Sequence, residues 1–170
     1  ALIDTSILLE PFTRFKRNKK NYKDAAFALI KYPKGRNFEP AISLSVLGEL
    51  NLIINKKENL VKELEPKKLQ MKEILDIFFE QCHLIGLSKE AIRGANKILG
   101  EDSLLEPLDV LHFTSAIDGG CKIFIFMDDK ISRSQVIKRV AEEKSIKLVQ
   151  FNSYKNEDKG KPHIDFMCIK

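Results

Sequence analysis

Four acidic residues stand where an α/β chain could bring them together for metal chemistry. Asp4 follows the apolar run Ala1-Leu2-Ile3, and Asp128 follows the run Cys121-Lys122-Ile123-Phe124-Ile125-Phe126-Met127. Asp109 sits two residues behind Pro107 at the start of a helical pattern, and Glu49 lies in the first turn or two of another. In open parallel sheets, sites form beyond the carboxyl ends of the strands, where Asp4 and Asp128 project. Two like charges about 4 Å apart repel by roughly 4 kcal/mol at an effective dielectric near 20. A divalent cation turns that repulsion into affinity. With no paired histidine or nearby cysteine, an oxygen donor set suits Mg²⁺ or Mn²⁺ better than zinc. Such ions serve phosphodiester hydrolysis by stabilising developing negative charge. Taken singly, each acid has a plainer reading. Asp4 or Asp109 fits a helix cap, Glu49 a surface position, and Asp128-Asp129 a turn.

The elements around these acids follow from hydrophobic period and punctuation. A short strand, residues 1–3, runs into Asp4-Thr5-Ser6, a turn or cap signal. Ala25, Ala26, Ala28, Leu29 and Ile30 favour a helix from Tyr22, stopped by Pro33-Lys34-Gly35. Pro40-Ala41-Ile42-Ser43 reads as a second buried strand, with Ser43 or Ser45 capping a helix that carries Val46, Leu47, Leu50, Ile53 and Ile54. Pro66 opens a helix through Phe79, and Ser88 caps one that stops at Gly100. The helix from about Asp109 to Asp118 ends at Gly119-Gly120. At about 100° per residue its apolar face holds Val110, Phe113, Ala116 and Ile117, with Asp109 on the border and Asp118 turned to solvent. The apolar run 121–127 suits a strand covered on both faces. Residues 132–144 read as one helix, and 146–151 as a last strand. Strands alternating with helices indicate an α/β fold with a mainly parallel sheet. Residues 1–151 form one domain in this reading. Residues 152–170 are an extension that is either an added strand or a loose tail.

Composition narrows the class. Formal net charge is +5, from 29 basic and 24 acidic residues. The basic excess is local: Arg14, Lys16, Arg17, Lys19 and Lys20 open a block reaching Arg36 in which Asp24 is the only acid. Such a block suits RNA phosphates, or equally a solvated lysine-rich helix face. The 3 cysteines, Cys82, Cys121 and Cys168, are odd in number and widely spaced, which argues against a disulfide framework and for reduced thiols in a cytoplasmic protein. No stretch approaches the roughly 18 apolar residues of a membrane span, and no secretory signal is visible before Asp4.

Four segments together resemble the motifs of PIN domains. They are Leu2-Ile3-Asp4-Thr5-Ser6, then Ile42 to Leu50 with its Glu49, then Leu108-Asp109-Val110-Leu111-His112-Phe113-Thr114-Ser115-Ala116, and finally Gly120-Cys121 with the strand to Asp128. Their order and spacing agree with the family to about residue 151. The resemblance implies a three-layer α/β/α sandwich whose metal-binding acids are Asp4, Glu49, Asp109 and Asp128. It implies Mg²⁺ or Mn²⁺ as cofactor and RNA as substrate. Ser6 is expected to hold a ligand or water, and Asp129 to be an auxiliary acid. His112 looks structural in this motif rather than a ligand. Many small members are VapC-like toxins, usually dimeric and held by an antitoxin, while others, including archaeal stand-alone PIN ribonucleases, process RNA. Phe126-Met127 departs from the small polar residues that many relatives carry before the last acid.

Two other readings compete. A PIN fold kept as a non-catalytic RNA-binding or assembly module needs none of the acids. A haloacid-dehalogenase-like phosphatase also begins with an aspartate after its first strand, but it requires a second aspartate two residues on, where this chain has Ser6.

Overall fold

The computed structural model describes residues 1–11, 26, 29–30, 39–56, 72–151 and 167–168. The expected helix from Tyr22 is represented there by helical residues 26, 29 and 30, and the helix expected from Pro66 by residues 72–79. The basic residues Arg14, Lys16, Arg17, Lys19 and Lys20 lie outside the described residues.

Strand β1 (Leu2–Ile3) leads into helix α1 (Thr5–Leu9), and β2 (Ala41–Ser43) into α2 (Leu44–Lys56). After α3 (residues 72–79) come β3 (His83–Ile85), α4 (Lys89–Glu101) and α5 (Pro107–Asp118). Then follow β4 (Ile123–Phe126), the short α6 (Asp129–Arg133), α7 (Gln135–Glu143), β5 (Lys147–Gln150) and β6 (Met167–Cys168). The sheet order is β3-β2-β1-β4-β5-β6. The first five of these strands are parallel, and β6 pairs antiparallel with β5 through Gln150 opposite Met167. Residues 167–168 thus form a short antiparallel edge of the sheet.

Alternation along the central strands builds three layers. Ile3, Ile42, Ile125, Met127 and Val149 enter one core with Ile7 and Leu8 of α1, Val46 and Leu50 of α2, and Phe78 of α3. Leu2, Phe124, Phe126 and Leu148 enter a second with Ala95 and Ile98 of α4, Val110 and Phe113 of α5, and Ile137 of α7. A period of two sends neighbouring side chains to opposite faces, so β1 and β4 are apolar throughout and helices must cover both sides. Phe126 and Met127, the departure noted in the last motif, are both buried core residues, one on each side.

Two elements differ from the sequence reading. The edge strand β3 was not anticipated, because its three residues are mostly exposed and carry no continuous apolar pattern. The helix expected over 132–144 is broken at Ser134, whose backbone is extended. The Ser134 hydroxyl accepts from Ile137 N at 3.2 Å and donates to Asp102 Oδ2 at 2.7 Å. A buried hydroxyl satisfied in this way offers the backbone an alternative to a continuous helix.

The end of α5 is fixed by close approach. A Cβ on Gly119 would lie 2.5–2.9 Å from three side-chain atoms of Ile85 on β3, and Gly120 has a φ of +68°. Isoleucine is stiff at χ1, so a Gly119→Ala substitution is expected to cost about 1–3 kcal/mol. Thermal unfolding should show a lowered Tm. A parental Tm would mean that the edge strand yields freely.

Candidate metal centre

Asp4, Asp109 and Asp128 are delivered by the ends of elements, and Glu49 from within a helix. The Asp4 amide donates to Ile125 O at 3.0 Å, which continues the β1–β4 pairing one residue past the strand. Asp4 then caps α1, with Ser6 N donating to Oδ2 at 3.3 Å and the Ser6 hydroxyl bonding the same oxygen. Asp128 follows β4 by two residues and caps α6, its Oδ1 accepting from Lys130 N. Asp109 lies in the first turn of α5, behind Pro107 at the helix start. His112, three residues on, shares its side of the helix. Glu49 comes from α2, whose start is held by Ser43 Oγ accepting from Val46 N at 3.3 Å.

Asp4, Asp109 and His112 each offer one ligand atom, and these atoms lie within 4.8 Å of one another. His112 Nδ1 is 2.7 Å from Asp4 Oδ1. An ionised carboxylate only accepts, so this nitrogen carries the proton and donates. The other ring nitrogen, Nε2, is buried without a hydrogen-bond partner among the described residues and lies 3.7 Å from Glu49 Oε2. His112 therefore spans Asp4 and Glu49, with its own side chain fully buried.

Charge is distributed unevenly over this group. Burial opposes ionisation of Asp4, but the His112 hydrogen bond and charge, with the bonds from Ser6, outweigh it and lower its pKa. Burial likewise opposes a charged His112, yet Asp4, Glu49 and Asp109 raise its pKa. Asp109 is compensated less. Burial, followed by the charges of Asp4 and Asp128, outweighs the opposing His112 charge and pushes its carboxyl up to about 7. It is the acid of the cluster at which repulsion exceeds compensation. A divalent cation fits this donor set: hard carboxylate oxygens beside an acid that is disfavoured in its ionised form.

The remaining sequence candidates are placed as follows. Ser6 bonds Asp4 directly. Asp128 acts on Asp109 through its charge, while Asp129 is exposed and accepts from Gln150 Nε2 at 2.6 Å, so its described hydrogen bond leads to the end of β5. Asp118 is exposed. Cys82 and Cys121 are half-buried free thiols, and burial pushes Cys82 up to about 12. The residue undervalued from sequence is His112. Its position three after Asp109 on one helix was the available signal, because that spacing puts both side chains on one face.

A parallel sheet carrying acidic side chains at its carboxyl edge, beneath a buried imidazole, defines an α/β protein with a candidate divalent-cation centre. The PIN domain model matches residues 1–136, and the chain belongs to the PIN domain family. Among solved structures it is similar to VapBC2 from Rickettsia felis bound to a DNA fragment from their promoter. That likeness has 20% identity and a TM-score of 0.56, over 89% of this chain and 98% of that one. It is also similar to a toxin–antitoxin complex from Klebsiella pneumoniae, with 17% identity and a TM-score of 0.51, over 80% of this chain and 93% of that one. At these identities the likeness is one of fold. No curated protein matches the chain. Among the described residues, no helix is long and apolar enough to cross a membrane.

Proposed function

We propose that the protein is a divalent-metal-dependent ribonuclease with Asp4, Glu49, Asp109 and Asp128 as its working acids. The observation that carries this reading is the under-compensated Asp109, raised by burial and by Asp4 and Asp128 against the His112 charge, within ligand distance of Asp4 and His112. Asp4, Asp109 and Asp128 would hold Mg²⁺ or Mn²⁺, with Glu49 completing the acidic lining. Bound there, the cation would neutralise the carboxylates and draw charge from the scissile phosphate. The chain's own part is positional. Ser6 and His112 fix the two oxygens of Asp4 in different directions, which leaves little rotational freedom at the buried acid. Glu49 is the partly exposed carboxylate beside the free edge of His112, where it can accept a proton from an attacking water.

The test is cleavage of a labelled RNA pool with Mn²⁺, Mg²⁺ or EDTA. Metal-dependent cleavage is expected. Retained RNA binding without cleavage would favour the binding-module reading. Glu49→Gln should leave the fold intact and slow cleavage by about 10²-fold, the range for a positioned acid–base group. A variant as fast as the parent would remove Glu49 from the site.

The fold relative from Klebsiella pneumoniae is a toxin–antitoxin complex, which favours a toxin role with an antitoxin partner for this chain. A homodimer acting in the cytoplasm belongs to the same reading, and sedimentation of the purified chain alone tests the dimer.

A further inference from the structure

Beside the carboxylates stands the cation of Lys130. Lys130 lies two residues after Asp128 on α6, and its Nζ donates to Glu106 Oε1 at 2.8 Å. Its ammonium is close enough to Asp128 and Asp109 to feel both charges. Glu106 occupies the N-cap position of α5, three residues before Asp109, yet its side chain makes no capping bond there. It reaches across to Lys130 instead. Both side chains are more than half exposed, at 51% and 61%. An exposed lysine–carboxylate pair contributes little to stability, so it exchanges partners readily. Lysine is also a point-charge binder of phosphate oxygens.

We propose that Lys130 is a substrate-binding residue that receives a phosphate of the RNA backbone beside the carboxylate cluster, with Glu106 holding that place until the phosphate displaces it. This rests on the nuclease reading. Without substrate, the Glu106 carboxylate stands in for the phosphate and keeps Lys130 from folding onto Asp109 and Asp128. When the backbone arrives, its oxygens take the Lys130 contact and Glu106 turns to solvent.

The experiment compares the full-length parent with Lys130→Ala, Lys130→Arg, Glu106→Gln and Lys147→Ala. Lys147 is exposed at the start of β5, at the opposite end of the sheet from the acids, and serves as the control for net charge. Steady-state cleavage of a labelled single-stranded RNA is measured with Mn²⁺ over a series of KCl concentrations. RNA affinity is followed by anisotropy in EDTA, and Mn²⁺ affinity by calorimetry. Lys130→Ala is expected to raise KM by about 3–10-fold with little change in kcat. Its dependence of log kcat/KM on log salt should flatten by about 0.7, the value for one lost contact to a single strand. Lys130→Arg should restore most of the loss, Glu106→Gln should lower KM, and Lys147→Ala should behave as the parent. Weaker RNA binding by Lys130→Ala in EDTA, with unchanged Mn²⁺ affinity, would support the assignment independently of turnover. A parental KM and salt slope in Lys130→Ala would overturn it while leaving the nuclease reading in place. Weakened Mn²⁺ binding in that variant would also overturn it, making Lys130 a support for Asp128. A parent that cleaves no RNA would remove the nuclease reading, and this assignment with it.

Discussion

Asp109→Asn is expected to abolish most RNA cleavage, by about 10²–10³-fold, while making the metal-free protein more stable. The two effects have one cause. Burial and the charges of Asp4 and Asp128 push the Asp109 carboxyl up to about 7, so its ionised form is disfavoured in the folded chain. An unfolded aspartate ionises near pH 3.9. Between about pH 4 and 7 the folded state therefore binds more protons than the unfolded state, and this group's contribution to stability declines as pH rises. Below that window both states are protonated and there is no penalty. Above it the penalty is complete. Solvent screening of a partly buried acid holds it to about 1–2 kcal/mol. Asparagine removes the charge, so in EDTA at pH 8 the variant should unfold a few degrees above the parent, and near pH 4 the two should coincide. Mn²⁺ at about 100 times its Kd should stabilise the parent by about 2.7 kcal/mol and the variant by much less. Calorimetric unfolding with and without Mn²⁺ reads all of this. A variant less stable than the parent at pH 8 in EDTA would show that Asp109 is held by compensating contacts rather than by repulsion.

The second large effect is expected at His112. Its imidazole is the buried partner of Asp4, which is itself buried at 2% exposure. Replacing it with leucine leaves a carboxylate in the core with only its Ser6 bonds, and breaking a buried pair from one side costs about 3–5 kcal/mol. Denaturant unfolding at pH 6 should register a loss of that size. Adding Asp4→Asn to His112→Leu should recover part of it, since the stranded charge is then gone. The pH dependence has a definite sign. His112 is raised by its acidic neighbours, so its contribution is complete below about pH 6.5 and is lost as pH rises through the higher folded value. Asp4 is lowered, so its contribution is complete above about pH 4 and is lost as pH falls through the lower folded value. The deficit of His112→Leu should therefore be greatest between about pH 4 and 6.5 and shrink at alkaline pH. An equally stable His112→Leu protein at pH 6 would mean that Ser6 alone satisfies Asp4.

Together these outcomes separate two uses of charge in one centre. Asp4 is compensated from within the chain, by His112 and Ser6, and stays ionised whether or not a cation is near. Asp109 is compensated only in part, by the His112 charge, which leaves the rest to a cation. The division explains why a buried histidine accompanies acids proposed as metal ligands: without it, Asp4 would share the fate of Asp109, and the apo fold would carry two under-compensated carboxylates.

Much of this was readable along the chain. The doubly apolar strand 123–126, the short β1 running into Asp4, and Pro107 opening the helix that carries Asp109 are local signals, set by side-chain period and by backbone punctuation. Such signals need only neighbouring residues, so they place Asp4, Asp109 and Asp128 at element ends before any packing is known. The membership of residues 1–136 in the PIN family agrees with that order of motifs.

Other features depend on residues far apart in sequence, and only the folded chain decides them. His112 meets Asp4 across 108 positions, Ser134 breaks its helix by bonding Asp102, and Lys130 finds Glu106 from a different helix. The exposed strand β3 forms because β2 offers it hydrogen-bonding partners, not because its own residues demand burial. Local pattern determined which elements form and where the acids stand along them. Tertiary packing decided which acid is offset by its counter-charge and which only in part, because charge compensation depends on distance in space, and that distance exists only once the sheet has brought these elements together.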